Sequence, residues 1–352
     1  MTESVLPLVV QCCEMPTDEI RAAHVQGKIR LRVWKPGPSD HLCANRAWVL
    51  EQVPGASAIL CVLNVKMDSE IMDAAGPSLR VVSTMSVGFD HIDLEAAKAR
   101  HVRVGHTPSV LNDAVADLTL LLMLMITRRA MESARVGFTG PSLHGKTIGL
   151  IGFGGIAQTL VTKLQAFHPG RILYKTSAPK PFDLKNPAFS FLAADPLFSS
   201  YIQVHGSPPV PVENEPDLHT LAAESDIVVV LANLSASTHH VVDAAFLEKM
   251  KPSAYLVNVS RGGLVDTAAL IHALHADQIA GAALDVVEGE PNIPADHGLL
   301  APELADKVVL LSHIASGTIE TRHAMASLCA RNGLGALGLL ADGSEMPAEV
   351  QT

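Results

Sequence analysis

A glycine-rich run with a regular spacing is the first feature of this 352-residue chain that suggests chemistry. Gly152, Gly154 and Gly155 are followed by Ile156 and Ala157, which is the G-x-G-x-x-A form of the dinucleotide fingerprint. The first glycine permits a tight turn, the second lets backbone amides approach a pyrophosphate, and the small last residue lets helix and strand pack closely. Because a β-branched run precedes the glycines and a helical pattern follows them, the sequence predicts a dinucleotide at a helix N-terminus. The alternative is a structural turn that binds nothing.

The residues about 20 positions beyond the glycine loop bear on the choice of cofactor. NAD-preferring domains usually carry a carboxylate there, on the ribose hydroxyls, but this chain has none before Asp183. Lys175 and Lys180 could instead receive a 2′-phosphate, with Thr176 or Ser177 hydrogen-bonding it. We therefore expect NADP(H) to be favoured, with NAD(H) possible. The alternative is that these lysines are ordinary solvated side chains at a strand end.

The elements that must position these residues alternate regularly along the chain. Short β-branched runs are separated by helical stretches, which predicts an α/β protein with parallel sheets. Six strand candidates lie between residues 147 and 314, the number expected of a complete doubly wound Rossmann-type domain. We place this dinucleotide-binding domain at 109–317, and a second domain at 1–108 with 318–352. One stretch, 179–216, holds eight of the 22 prolines and is predicted to be a long surface loop.

Composition excludes several classes of protein. The formal net charge of −10 argues against a nucleic-acid partner, which usually needs a basic face. The most apolar segment, 118–126, is too short to span a membrane and is predicted to be a fully buried helix. The five cysteines show no C-x-x-C spacing, which is typical of buried free thiols in a reducing compartment. With no signal peptide visible, a cytoplasmic location is expected.

Three further motifs carry a resemblance to a known family. They follow the glycine loop in order and read NVSRGGLVD at 258–266, ALDVVEGEP at 283–291 and LSHIASGT at 311–318. They resemble the arginine, glutamate and histidine motifs of the D-isomer-specific 2-hydroxyacid dehydrogenases. Within that family the likeness is strongest to its glyoxylate/hydroxypyruvate reductases, whose substrate-loop signature is similar to VSTMSVGFDH at 82–91. The resemblance implies two doubly wound domains, of which the substrate domain is flavodoxin-like.

The resemblance also implies a reaction, which is the reduction of a small 2-keto acid to the D-2-hydroxy acid with hydride from NAD(P)H. His313 would protonate the carbonyl oxygen, since imidazole exchanges its proton near neutral pH. Glu290 would hydrogen-bond the other ring nitrogen. Arg261 would pair with the substrate carboxylate, which a planar guanidinium fits. No metal is required.

Other site residues follow from the same likeness. The substrate would contact Val87 and Gly88 through their amides, together with Ser316, Arg261 and His313. The cofactor would contact the glycine loop, Lys175, Thr176 and Ser177, and also Asn233, Val259, Arg261, Asp285 and Ala315. His91 and His106 lie near the expected cleft without an assigned role. The family further implies a homodimer.

One departure from the family pattern leaves alternatives open. The connection at 134–141 is shorter than usual and lacks the tryptophan-containing stretch that lines the partner's pocket in the reductases, so the preferred 2-keto acid is open. Another D-2-hydroxyacid substrate is therefore one alternative. A nucleotide-sensing corepressor-like scaffold is another, although the chain has no long tail after its last helix. A 3-phosphoglycerate dehydrogenase would carry an acid near Lys175, and a formate dehydrogenase a glutamine in place of Glu290.

Overall fold

The computed structural model describes residues 6–37, 43–133, 139–206 and 208–351. The chain divides into two compact units, Met1–Leu111 with Gly317–Thr352 and Asn112–Ser316. Each unit is built on one parallel sheet. Residues 134–138 of the shortened connection lie outside the described residues.

The first unit contains a five-stranded parallel sheet in the order β2-β1-β3-β4-β5, the flavodoxin-like order expected of it. Strand β2 was not predicted, because Arg30 and Arg32 interrupt its apolar pattern. It is an edge strand, where charged side chains are common. The elements are β1 (Leu8–Gln11), α1 (Glu19–Val25), β2 (Arg30–Val33), α2 (Arg46–Gln52), β3 (Ala56–Cys61), α3 (Ser69–Ala75), β4 (Val81–Thr84), α4 (Leu94–Ala99) and β5 (Arg103–Gly105), with a C-terminal helix, Ile319–Ala336.

The second unit contains a seven-stranded parallel sheet in the order β12-β11-β10-β9-β6-β7-β8. Counted from β6, the first six strands follow the Rossmann order, with a seventh at the β12 edge. The elements are α5 (Asn112–Thr127), α6 (Ala130–Ser133), β6 (Thr147–Ile151), α7 (Gly155–Leu164), β7 (Arg171–Lys175), α8 (Ser190–Ala194), α9 (Pro196–His205), β8 (Val212–Asn214), α10 (Leu218–Glu224), β9 (Ile227–Val230), α11 (Ala244–Lys249), β10 (Tyr255–Asn258), α12 (Thr267–His275), β11 (Gly281–Leu284) and β12 (Val308–Leu310), and the C-terminal helix of the first unit is α13.

Local sequence explains where most of these helices begin. A side-chain oxygen at the N-cap accepts a hydrogen bond from a backbone N–H of the first turn, which satisfies a donor that would otherwise be unpaired. Asp is the residue used most often. The caps with this bond are Asn45, Asp68, Asp93, Asp195, Asp217, Asp243, Asp266 and Thr318.

The prediction of a long loop at 179–216 is wrong for about half of that segment. It contains α8, α9 and β8, and β8 is the strand that the six-strand prediction missed. Pro196 stands at the first position of α9, where a proline needs no N–H partner, so it starts a helix instead of breaking one. Phe189 and Phe198 are buried and give the segment a small aromatic core.

Helix α5 is apolar but not fully buried, contrary to prediction. It packs on one face of the second sheet, so Leu122, Met123 and Ile126 are buried while Leu121 on the opposite side is 48% exposed. The apolar composition alone could not distinguish these two faces. Among the described residues, no helix has the length and hydropathy needed to cross a bilayer.

Candidate active site in the second unit

The predicted site residues of the second unit follow the carboxyl ends of six parallel strands. In a parallel sheet those ends share one edge, and ligands bind there, near the point where the strand order reverses. That point lies between β6 and β9. The strands and the residues that follow them are β6 with the glycine loop, β7 with Lys175, Thr176 and Ser177, β9 with Asn233, β10 with Val259 and Arg261, β11 with Asp285 and Glu290, and β12 with His313, Ala315 and Ser316.

Glycine is present at positions 152 and 154 of the fingerprint for different structural reasons. Gly152 has a φ of +100°, and a Cβ there would lie 2.7 Å from the backbone nitrogen of Ala232 at the end of β9. Gly154 is the N-cap of α7 with an ordinary φ of −79°, and a Cβ there would meet nothing within 4 Å. The fold therefore requires glycine at 152, whereas glycine at 154 leaves space beside the helix N-terminus.

An unsatisfied amide lies beside this helix N-terminus. The Nδ2 atom of Asn112 is buried and has no hydrogen-bond partner within the described chain. It lies 2.5 Å from the position that a Cβ on Gly155 would take. A buried donor without an acceptor is costly, and an anionic oxygen at the glycine loop would satisfy it together with the first amides of α7. The residues present thus fit a dinucleotide pyrophosphate.

Two alanine substitutions in the glycine loop should separate folding from binding. Gly152→Ala should lower the free energy of unfolding by about 2–4 kcal/mol, because it combines a positive φ with backbone overlap. Gly154→Ala should unfold like the wild type but bind dinucleotide at least about tenfold more weakly, because its methyl group enters the ligand space. Thermal unfolding and fluorescence titration with dinucleotide would measure both. Tight binding by a stable Gly154→Ala protein would contradict a phosphate at this position.

The segment after β7 is anchored directly on the glycine loop. Gln158, which is buried on α7, donates to the carbonyl oxygen of Ala188 at 2.7 Å and accepts from the amides of Phe191 and Leu192 at 3.2 and 3.3 Å. Phe153, the variable residue of the fingerprint, stacks on Tyr174 with ring centroids 3.9 Å apart. Sequence reasoning missed Gln158 because a polar residue on a helix carries no signal of a buried role.

The predicted sugar-edge residues lie together at the end of β7. The Nζ atom of Lys175 donates to the carbonyl oxygen of Thr176 at 2.8 Å, and the hydroxyl of Thr176 donates to the carbonyl oxygen of Ala178. Ser177 is exposed. The backbone of Lys180 is held by Asn214, whose Oδ1 accepts from its amide at 3.0 Å. Within 171–182, no described carboxylate occurs.

The predicted hydrogen bond between His313 and Glu290 is formed. The Nδ1 atom of His313 lies 2.8 Å from Oε1 of Glu290, and the two side chains are 31% and 25% exposed. Both come from loops that follow adjacent strands, β12 and β11. With Nδ1 engaged, Nε2 is the nitrogen that can reach a substrate. This arrangement fixes the ring and allows proton transfer at one atom.

Asp285 positions the turn that carries His313. Its carboxylate is fully buried and accepts from the amides of Ile314 and Ala315 at 2.8 and 2.9 Å. Its carbonyl oxygen accepts from the amide of His313 at 2.8 Å, where His313 has a φ of +57°. Burial raises the pKa of Asp285, and the two amides oppose that shift only in part. The likeness placed Asp285 and Ala315 near the cofactor. That contact stays a prediction, whereas their mutual hydrogen bond is a finding.

Arg261 follows β10 on a tightly held turn. Asn258 donates to the carbonyl oxygen of Arg261 at 2.9 Å and accepts from the amide of Ser260 at 3.1 Å. The guanidinium is half-buried and donates to the carbonyl oxygen of Ser260 at 2.9 Å. At the next residue, a Cβ on Gly262 would lie 2.2 Å from the carbonyl carbon of Val287, so only glycine fits. The turn therefore holds the backbone of Arg261 in a fixed position.

The predicted substrate loop belongs to the first unit and follows β4. The carbonyl oxygen of Val87 lies 3.0 Å from Nδ1 of His106, and the hydroxyl of Ser86 donates to the carbonyl oxygen of Gly88. Within the described residues, the amides of Val87 and Gly88 donate to no protein acceptor. Sequence reasoning left His106 without a role, and its contact with Val87 shows that it holds this loop. His91 is buried, with its Nε2 3.9 Å from the sulfur of Cys61.

One further cluster has metal-ligand residue types. His239, His240 and Glu288 place one ligand atom each within 4.8 Å of one another. Hydrogen bonds already occupy two of them, since His240 Nε2 lies 2.7 Å from Glu288, and Glu288 also accepts from the amide of Thr267. These contacts join the loop after β9 to the loop that carries Glu290.

Comparisons with known proteins agree with this geometry. Residues 121–315 match the family "D-isomer specific 2-hydroxyacid dehydrogenase, NAD binding domain". A glyoxylate reductase of Thermofilum pendens is 38% identical over 93% of this chain and 86% of its own length. A glyoxylate reductase/hydroxypyruvate reductase of Mus musculus is 37% identical over 86% of each chain.

A solved structure shows the same architecture. It is that of an NADPH-dependent glyoxylate/hydroxypyruvate reductase from Sinorhizobium meliloti in complex with NADP and malonate. The two chains superpose with a TM-score of 0.74 and 29% identity, over 98% of this chain and 99% of the other.

Proposed function

The chain belongs to the D-isomer specific 2-hydroxyacid dehydrogenase family, and on this basis we propose that it reduces glyoxylate or hydroxypyruvate to the D-2-hydroxy acid with NADPH. The observation that carries the proposal is the His313–Glu290 pair, 2.8 Å apart, at the same sheet edge as Arg261 and the glycine loop. An acid–base pair, a cation for a carboxylate and a dinucleotide loop are the groups that this reaction needs.

The proposed mechanism divides the work between cofactor and chain. A bound nicotinamide dinucleotide supplies the hydride that reaches the carbonyl carbon. The chain supplies the proton, which passes from Nε2 of His313 to the carbonyl oxygen as negative charge develops there. Glu290 stays hydrogen-bonded to Nδ1 and stabilises the imidazolium that donates this proton. Asp285 acts through the backbone, because it holds the turn on which His313 lies.

Arg261 is proposed to bind the substrate carboxylate and to polarise the neighbouring carbonyl group. A guanidinium presents two parallel N–H groups that match a carboxylate, which a lysine ammonium cannot do. The amides of Val87 and Gly88, and Ser316, stay predictions as further substrate contacts. A carboxylate next to the reacting carbonyl thus distinguishes 2-keto acids from simple ketones.

The proposed preference for NADPH is supported by the residues at the end of β7. Residues 171–182, at the end of β7, include no Asp or Glu, and Lys175 provides a positive charge. The related reductase from Sinorhizobium meliloti is NADPH-dependent by its description. The residues at the end of β7 and the description of this relative therefore both favour NADPH.

Lys175→Ala tests this preference. We expect the Kd for NADPH to rise about tenfold, equivalent to about 1.4 kcal/mol, and the Kd for NADH to change less than about twofold, because only NADPH carries the 2′-phosphate. Lys249→Ala, an exposed lysine on α11, is the matched control and should change neither. Titration by cofactor fluorescence gives both constants without turnover. Equal losses for the two cofactors would show that Lys175 does not read the phosphate.

The reaction itself is tested by the loss of NADPH absorbance with glyoxylate and with hydroxypyruvate. Saturable turnover with either acid, and a D-configured product from hydroxypyruvate, is expected. Dinucleotide binding without turnover of either acid would show that neither glyoxylate nor hydroxypyruvate is a substrate. A panel of other 2-keto acids would then separate the two remaining alternatives, a different D-2-hydroxyacid substrate and a nucleotide-sensing scaffold. A homodimer and a cytoplasmic location stay predictions.

A further inference from the structure

Two cysteines of the first unit lie opposite each other. Cys13, after β1, and Cys43, before α2, form an isolated antiparallel bridge. The amide of Ala44 donates to the carbonyl oxygen of Cys12 at 2.7 Å, which is the flanking hydrogen bond of a non-hydrogen-bonded pair. In such a pair, facing Cα atoms lie about 4.5 Å apart and their side chains share one face. Disulfides span Cα separations of about 4.4–6.8 Å, so the pair is within bonding reach.

The pKa values of the two thiols are shifted in opposite directions. A hydrogen bond from the Cys13 thiol and, to a lesser extent, the charge of the Arg322 guanidinium together lower the pKa of Cys43 to about 7, against the effect of burial. The same hydrogen bond, with burial, raises the pKa of Cys13. Because thiolate is the reactive form, Cys43 is suited to attack an oxidant at neutral pH. Cys13 remains a thiol that can react in a second step.

Access to the pair is provided by a cavity of about 900 Å³. Both cysteines line it, together with Arg21, Arg322 and Met85. Cys43 is half-buried, whereas Cys12, Cys61 and Cys329 are completely buried. Cys12 belongs to the apolar core of the first unit, on the other face from its neighbour Cys13. An oxidant that enters the cavity therefore meets Cys43 and Cys13 and no other described cysteine.

We propose that Cys13 and Cys43 form a reversible, peroxide-sensitive disulfide. The Cys43 thiolate attacks one oxygen of the peroxide, the O–O bond breaks, and hydroxide leaves, which oxidises Cys43 to the sulfenic acid. The Cys13 sulfur then attacks the Cys43 sulfur, and its proton leaves with the hydroxyl group as water. One peroxide is reduced and two thiols are oxidised. A dithiol reductant reverses the reaction by thiol–disulfide exchange.

The bond would join the end of β1 to the segment before α2. Met85, in the wall of the same cavity, is the first residue after β4 and so begins the predicted substrate loop. Oxidation would therefore act on the unit that carries Val87 and Gly88, whereas His313 and Arg261 belong to the other unit. Thiol chemistry, unlike turnover, can be followed whether or not the proposed reaction is correct.

The experiment treats the reduced full-length chain with one to a few equivalents of hydrogen peroxide, then alkylates free thiols and analyses intact mass and peptides. We expect the free thiols to fall from five to three, as two are consumed, with a Cys13–Cys43 cross-linked peptide that dithiothreitol removes. Cys13→Ser and Cys43→Ser should each abolish the cross-link, and Cys12→Ala should retain it. The wild-type peptide map decides the question even if a variant fails to fold.

Other results overturn the proposal. A cross-link between Cys12 and Cys43 would show that the bridge register is not the one described. Retention of all five thiols, or sulfinic acid at Cys43 with Cys13 still free, would show that the pair does not close.

Discussion

Replacement of His313 by alanine is expected to lower kcat for 2-keto acid reduction by about 10²–10⁴-fold, the usual contribution of a positioned general acid. Dinucleotide affinity should stay within about twofold, since the glycine loop lies after a different strand. The physical reason is that the carbonyl oxygen would then take its proton only from water. Stopped-flow turnover and cofactor titration on the same preparation separate the two effects.

Two comparisons make the His313 result specific. His272→Ala removes an exposed histidine of α12 in the same unit and should leave kcat unchanged. Glu290→Gln keeps a hydrogen-bond acceptor at Nδ1 but removes the negative charge that stabilises the imidazolium, so its loss of kcat should be smaller than that of His313→Ala. If His313→Ala retained more than about one tenth of wild-type turnover, another group would have to supply the proton.

Arg261→Lys should lower kcat/KM by roughly 10²-fold, equivalent to about 3 kcal/mol, although the charge is kept. Lysine cannot present two parallel N–H groups to a carboxylate, and the rigid turn at Asn258 and Gly262 gives a shorter or differently shaped head group little freedom to adjust. We expect much of this decrease in kcat/KM to come from a higher KM, with a further decrease in kcat because the carbonyl is less polarised. Steady-state kinetics over a wide range of keto acid gives both.

The matched control is Arg171→Lys. Arg171 begins β7, at the opposite edge of the same sheet, and pairs with Glu224 at 2.9 Å. An exposed pair of this kind contributes little, so kcat and KM should be unchanged. Equal losses of kcat/KM in the two variants would mean that replacing an arginine disturbs the fold in general, and that the effect at Arg261 does not report carboxylate binding.

Short-range sequence patterns determined much of the fold of the second unit. The glycine loop, the apolar strands and the capped helices each depend on residues within one turn or one strand, and the structure confirms the doubly wound fold. The strand rhythm also placed Arg261 and His313 after strand ends, at the edge where ligands bind in parallel sheets. Their roles came from resemblance, because a lone arginine or histidine carries no local signal.

Tertiary structure decided the contacts between distant parts of the chain. Asp285 accepts from Ile314 and Ala315, Gln158 fastens Phe191 and Leu192, and Cys13 faces Cys43, at separations of about 30 residues. Buried polar groups take whatever partner the packing brings near, so their sequence positions do not reveal the pairing. Strands β2 and β8 escaped prediction for a related reason. A short edge strand is stabilised by the neighbour it pairs with, and its own residues need not be apolar.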